Sequence, residues 1–185
     1  MTPFSSARYS LGHRLPPIIK SANADENGER SALKGATFGD SGLGKSHLAA
    51  AIVDGIVSQG YRVRFYSAGE LLQELRKARS LLRLNEVLLK LDRYRVIVID
   101  DLGYVKRDNA ETGVLFELIA HRYERGSLII TSNHPFSTWG SIFVDETMAV
   151  AAADRLIHHG YIFEVTGESY RKKTSKAEIQ QSVKQ

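Results

Sequence analysis

The chain of 185 residues contains no cysteine, which excludes disulfide staples and thiolate metal sites. No apolar run approaches the roughly 18 residues that a membrane-spanning helix needs, so no membrane association is expected. Residues Met1 to Lys20 lack the apolar centre of a secretory signal, which makes the cytoplasm the expected location. Neither an internal repeat nor a low-complexity tract is present. Charge of one sign is also not dominant. Lys and Arg number 25 against 21 Asp and Glu, a net charge of +4, with a pI near 9.3. That excess leaves a polyanionic partner and a merely basic surface equally open. The remainder, 43% hydrophobic and 25% charged, fits one soluble domain with a real core.

What the chain does contain is a phosphate-binding signature. Gly39-Asp40-Ser41-Gly42-Leu43-Gly44-Lys45-Ser46 fits G-x-x-x-x-G-K-[ST], the phosphate loop of NTPases. Glycines at 39, 42 and 44 let the backbone turn tightly and aim N–H groups at phosphate oxygens. Lys45 carries positive charge to the β- and γ-phosphates, and Ser46 offers a hydroxyl to Mg²⁺. Leu48, Ala49, Ile52, Val53 and Ile56 then recur at helical spacing, so the loop opens a helix whose N-terminus faces the anion. A strong buried strand should precede such a loop, and Leu33 to Phe38 is a weak candidate for it.

Before the loop, Pro16-Pro17 and the polar run Ser21 to Arg30 predict a loosely structured leader over 1–34. Beyond it, strand and helix signals alternate. The loop helix covers about 44–59. Tyr61 to Tyr66 reads as a strand, and Ser67 with Glu70 forms a capping box for the next helix. A second amphipathic segment runs from about Leu81 to Leu91. Val96-Ile97-Val98-Ile99 suits a central parallel strand covered on both faces. A helix over 110–125, a strand over 127–133, a helix over 147–159 and a strand over 161–165 follow. The alternation predicts an α/β domain over 35–173 with a mainly parallel sheet, then a polar tail over 174–185. Ligands of such sheets sit at the carboxyl ends of the strands.

Several strand ends carry polar side chains. Asp100 and Asp101 close the most apolar strand. There Asp100 would join the Mg²⁺ shell and Asp101 would orient or deprotonate an attacking water; the bland alternative is a carboxylate pair capping the next segment. Asn133 ends the following strand, either to touch the γ-phosphate or to make the turn before Pro135. Arg155 lies near the end of the last helix, either complementing the helix dipole or reaching a neighbouring subunit's nucleotide. His158 and His159 are adjacent, so they diverge on a helix and form no metal site.

Nine basic residues and only four carboxylates fall between Arg62 and Arg95. Arg76, Lys77, Arg79 and Arg83 crowd one helical region, with Arg76, Arg79 and Arg83 on one face. That face would track a phosphate backbone or simply face solvent.

With these residues in place, the segment from Phe38 to about Lys173 resembles the IstB family of transposition helper ATPases, relatives of DnaC helicase loaders and DnaA initiators in the AAA+ superfamily. The resemblance rests on Gly39 to Ile52, Leu91 to Tyr94, Val98 to Val105, Glu111 to Ile119, and Arg122 to Arg125. It continues through Thr131 to Phe136, Trp139-Gly140, Asp154 to His159 and Glu168 to Arg171. It implies a P-loop AAA+ core with strand order 5-1-4-3-2, and Mg²⁺-dependent ATP hydrolysis coupled to homo-oligomer assembly on double-stranded DNA beside a separate transposase. By position, Lys45 and Ser46 match the phosphate and Mg²⁺ residues, Asp100 and Asp101 the Walker B pair, Asn133 sensor 1, and Arg155 the arginine-finger segment. The helices between Ala68 and Leu91 match the insertion that faces DNA. Arg171 matches a position that either senses nucleotide or binds DNA. The residues before Phe38 match none of the family's helical N-terminal region, as an unrelated or frame-shifted leader would. The expected function is an ATP-hydrolysing, DNA-binding helper of transposition; the alternatives are a DnaC-like helicase loader and a truncated, non-hydrolysing DNA-binding or interaction protein.

Overall fold

The structure, a computed structural model, describes residues 34–103, 108–123, 125–158, 160–167 and 169–170. All of the expected leader except Lys34, the whole polar tail, and Arg171 lie outside the described residues. Five parallel strands form one sheet in the order β2-β3-β4-β1-β5. They are β1 (Lys34–Phe38), β2 (Val63–Ser67), β3 (Val96–Leu102), β4 (Ser127–Ser132) and β5 (Gly160–Glu164). The order is the one expected, read from the other edge.

The two faces of the sheet follow from strand alternation. Val96 and Val98 of β3 and Ile129 of β4 pack with Ala49, Ile52 and Ile56 of α1 (Lys45–Val57). The intervening Ile97, Ile99, Leu128 and Ile130 point to the opposite face. There they meet the larger core supplied by α2 (Ala68–Ser80), α3 (Leu84–Leu91), α4 (Asn109–Arg122) and α5 (Glu146–Ile157). Among the described residues the result is three layers, with α1 against one face and α2, α3, α4 and α5 against the other. The starts of α2, α4 and α5 use local chemistry. The Glu70, Glu111 and Met148 backbone N–H groups donate to the side chains of Ser67, Asp108 and Asp145 respectively, which satisfies donors that a bare helix end leaves unpaired. Among the described residues, no helix is long and apolar enough to cross a membrane.

The weak strand candidate proves to be the second-innermost element of the sheet. β1 pairs with β4 on one side and β5 on the other, from Lys34↔Leu128 and Lys34↔Gly160 to Phe38↔Ser132 and Phe38↔Glu164, and all five residues are buried. Its ladder with two neighbours, rather than an apolar side-chain pattern, makes it a strand. Lys34 fits because its ammonium group donates to the carbonyls of Arg122, at 2.7 Å, and Gly126, at 2.9 Å. Arg122 is itself 1% exposed. Its guanidinium donates to the carbonyls of Tyr94, Arg95 and Ser127 and lies 3.4 Å from Asp92. Burial pulls the Arg122 pKa below its ordinary value, and Asp92 opposes that pull. This polar knot ties the amino ends of β1, β3 and β4 together, leaving the carboxyl ends for the site.

At the carboxyl end an aromatic chain does the tying. Phe38 meets Phe136 edge-on, with ring centroids 4.7 Å apart, and Phe136 meets Trp139 at 4.7 Å. Trp139 stacks on Phe143 at 5.7 Å. Phe136 and Trp139 follow β4 in a 3₁₀ turn, Phe136–Ser141, which packs against α5. The residue just before the phosphate loop is thus braced by the segment just after Asn133. Trp139 is almost fully buried. Trp139→Ala is expected to lower the unfolding free energy by about 3–5 kcal/mol, measured by urea titration followed by circular dichroism.

Candidate nucleotide site

The loop between β1 and α1 adopts the conformation its glycines permit. Gly44 caps α1 at φ 91°, and Gly39 sits at φ 142°. A Cβ on Gly39 would lie 2.2 Å from the carbonyl oxygen of Val165, so only glycine fits there. Lys45 opens α1 and is largely buried. Its Nζ donates to the carbonyls of Gly39, at 2.7 Å, and Asp40, at 2.9 Å, folding across the loop. The first turn of α1 and the Lys45 ammonium group thus sit against one stretch, Gly39 to Ser46. Such a stretch suits an anion.

The carboxylates reach the loop through a β-bulge. In the β3–β4 ladder Ile99 pairs with Ile130, but Leu102 pairs with Ser132. Three steps along β3 thus match two along β4, and Asp100 and Asp101 together oppose Thr131. Asp101 takes up the extra residue in the left-handed region, φ 63°, which an Asp tolerates better than most side chains. The buried Thr131 hydroxyl fills the gap. It accepts a hydrogen bond from the Asp101 N–H at 2.9 Å and donates a short one to Asp100 Oδ1. The same Oδ1 accepts from Ser46 Oγ at 2.9 Å. Phosphate loop, β3 and β4 are joined through one carboxylate oxygen.

The expected site residues divide accordingly. The structure brings together Gly39, Asp40, Ser41, Gly42, Leu43, Gly44, Lys45, Ser46 and Asp100, and puts Asp101 beside them with its side chain exposed. Asn133 follows β4 directly. Its Oδ1 is buried with no hydrogen-bond partner among the described residues, a costly state for an amide unless a ligand engages it. Arg155 faces its own chain: Nη1 donates to the Ala151 carbonyl at 2.8 Å and the guanidinium lies 5.1 Å over the Phe116 ring. The basic face is present but partly neutralised. Arg76 lies 3.4 Å from Asp108 and 3.3 Å from Glu111, Arg79 is 3.3 Å from Glu117, and Arg83 is 2.9 Å from Glu86. Lys77 is exposed.

Two contributors were not foreseen. Thr131 had a signal, a polar residue directly after the apolar run Leu128 to Ile130. The segment after β5 had none, because its role depends on tertiary placement. The Val165 N–H donates to the Phe38 carbonyl at 2.8 Å and the Tyr170 N–H to the Gly42 carbonyl at 3.0 Å, so this segment crosses the phosphate loop. As a metal setting, Ser46 and Asp100 offer hard oxygen donors suited to Mg²⁺, which keeps waters and takes substrate oxygens for its remaining positions. Among the described residues, no group of three or more His, Cys, Asp or Glu gathers as a self-sufficient metal cage.

The family described as IstB-like ATP binding protein matches residues 31–178, a span that takes in β1 as well as the loop. An insertion sequence ATP-binding protein of Sinorhizobium fredii is 48% identical over 164 residues, covering 86% of this chain and 55% of that protein. The IS5376 ATP-binding protein of Geobacillus stearothermophilus is 41% identical over 134 residues, covering 72% and 53%. The chain thus spans about half the length of the curated relatives it matches. Among solved structures, the DnaC helicase loader superposes with a TM-score of 0.59 at 23% identity, covering 72% of this chain and 78% of that one. AMPPCP-bound DnaA from Aquifex aeolicus gives 0.61 at 19%, covering 89% and 50%. At these identities the likeness is one of fold, the AAA+ phosphate-loop core.

Thr131→Val keeps the side-chain shape and removes both hydroxyl bonds. Amide exchange at Asp101 is expected to accelerate by about tenfold or more, with about 1–2 kcal/mol of stability lost. Thr131→Ser should preserve protection. Hydrogen exchange resolved to Asp101 checks both.

Proposed function

Because the chain belongs to the IstB-like ATP-binding protein family, we propose that it is a Mg²⁺-dependent ATPase that assembles on double-stranded DNA and assists a separate transposase. The observation that carries the ATPase reading is the 2.9 Å contact between Ser46 Oγ and Asp100 Oδ1. It couples the phosphate loop to the carboxylate strand, the arrangement that metal-assisted attack on a bound triphosphate uses. The insertion-sequence relatives support the transposition setting, and a cytoplasmic location accords with it.

In this reading the triphosphate lies along Gly39 to Ser46. The Lys45 ammonium exchanges the carbonyls of Gly39 and Asp40 for β- and γ-phosphate oxygens. Ser46 and Asp100 would hold Mg²⁺, which neutralises charge developing on the phosphates. The exposed Asp101 carboxylate orients a water toward the γ-phosphate and takes its proton. The Asn133 amide contacts the same phosphate or the water. Most of the catalysis is positioning and electrostatics. Arg155 completes the site in trans. Its exchange of Ala151 and Phe116 for a neighbour's nucleotide makes turnover depend on assembly.

Steady-state turnover with duplex DNA tests this. Lys45→Ala and Asp101→Asn should each lower kcat by roughly 10²- to 10³-fold, the second with nucleotide binding retained. Unchanged turnover in both would contradict the site. Arg155→Ala and Asp101→Asn should each be inactive alone and regain part of the activity when mixed, since each supplies what the other lacks. A mixture as inactive as its parts would contradict the shared site. Wild-type turnover that requires a replicative helicase rather than a transposase would favour the helicase-loader alternative.

A further inference from the structure

The Asn133 amide lacks an anchor at its oxygen. Its Oδ1 is buried and has no hydrogen-bond partner among the described residues. The direction of that oxygen is therefore set by the backbone that carries it. The backbone is clasped at the next residue, His134, from both sides. The His134 N–H donates to the Ser132 hydroxyl at 3.0 Å, and the His134 carbonyl accepts from the Trp139 indole Nε1 at 3.4 Å. The first bond fixes the peptide that leaves Asn133, and the second fixes the peptide after it.

Both clasps are themselves held. Ser132 is the last residue of β4 and is fully buried. Its hydroxyl packs where β3 ends: a Cβ on Gly103 would lie 3.0 Å from Ser132 Oγ and 2.9 Å from Ile142 Cδ1. The Trp139 ring contacts Phe136 on one side and Phe143 on the other. The Trp139 carbonyl accepts from the Ile142 and Phe143 N–H groups, each at 2.9 Å. Between the clasps, the Thr138 N–H and hydroxyl both donate to the Pro135 carbonyl at 2.9 Å. A buried indole N–H needs an acceptor somewhere. Here the acceptor lies outside the 3₁₀ turn that carries the indole, on the residue next to Asn133. The combination is a stiff mount under an amide whose oxygen is left open. A group that must meet a transferring phosphoryl unit needs such a mount, because misplacement by about 1 Å costs roughly 10²-fold in rate.

We propose that Trp139 and Ser132 are positioning residues for hydrolysis: they grip the His134 backbone from both sides and so aim the Asn133 amide at the reacting phosphate or its water. This rests on the reading of Asn133 as a residue of the nucleotide site, and it gives the Trp139-Gly140 segment a task beyond packing.

The test is steady-state turnover of the full chain with ATP, Mg²⁺ and duplex DNA, arranged as double-mutant cycles. Asn133→Ala should lower kcat by about 10²-fold. Trp139→Phe keeps an aromatic ring in the core and removes the indole N–H. Ser132→Ala removes one acceptor and leaves the aromatic chain untouched. Each should lower kcat by about tenfold, with the KM for ATP within about twofold of wild type. On the Asn133→Ala background neither should lower kcat further. Equal losses on both backgrounds would mean that the two residues act elsewhere, and would overturn the proposal. A raised KM with unchanged kcat would overturn it too, since that is the mark of lost binding alone. If Trp139→Phe and Ser132→Ala turn over as wild type does while Asn133→Ala is slow, the mount is wrong and the site reading stands. If wild type shows no turnover, or Asn133→Ala matches it, the site reading fails and the proposal with it. Should Trp139→Phe lose its cooperative melt, Ser132→Ala alone decides.

Discussion

The Thr131 hydroxyl is the interaction on which the site depends. One residue too many on β3 would ordinarily leave an unpaired N–H and a carboxylate of undefined direction. Thr131 accepts a hydrogen bond from the Asp101 N–H and donates one to Asp100. Ser46 then donates to the same Asp100 oxygen, so a loop rich in glycine becomes fixed to the sheet. The bulge also separates the roles of two adjacent carboxylates. Asp100 faces the loop hydroxyl, while Asp101, turned by its left-handed backbone, is left exposed.

Around that point the molecule is braced from both ends. The Lys34 and Arg122 knot joins β1, β3 and β4 at their amino ends. The Phe38, Phe136, Trp139 and Phe143 rings join the root of the phosphate loop to the segment that follows Asn133. The segment after β5 adds backbone contacts to Phe38 and Gly42. The phosphate loop and its root are thereby tied to the segment after Asn133 and to Val165 and Tyr170. The helices α2 and α3 pack on the sheet face opposite α1.

Much of this was legible in the sequence because it is local. The phosphate loop announces its own backbone, and helical spacing after Ser46 gave α1. The continuous run Val96 to Ile99 marked a strand covered on both faces, and Ser67 with Glu70 marked the start of α2. What was illegible depends on partners distant in the chain. β1 carries Lys34, Gly35 and Thr37, and becomes a strand only through its ladders to β4 and β5 and through carbonyls 88 and 92 residues away. The bulge is a property of the register between two strands and of neither alone. The folding of Arg155 onto Phe116, and the pairing of Arg76 and Arg79 with carboxylates of the Asp108–Glu117 region, likewise have no signature within a single helix.

Ser46 and Asp100 would together offer one oxygen-donor setting for a metal-bound triphosphate. Titration of a fluorescent ATP analogue into wild type and Ser46→Ala, each with and without Mg²⁺, tests it most directly. Mg²⁺ is expected to tighten binding to wild type and to have little effect on Ser46→Ala, while metal-free affinities stay similar. Equal tightening by Mg²⁺ in both proteins, or no nucleotide binding by wild type, would contradict it.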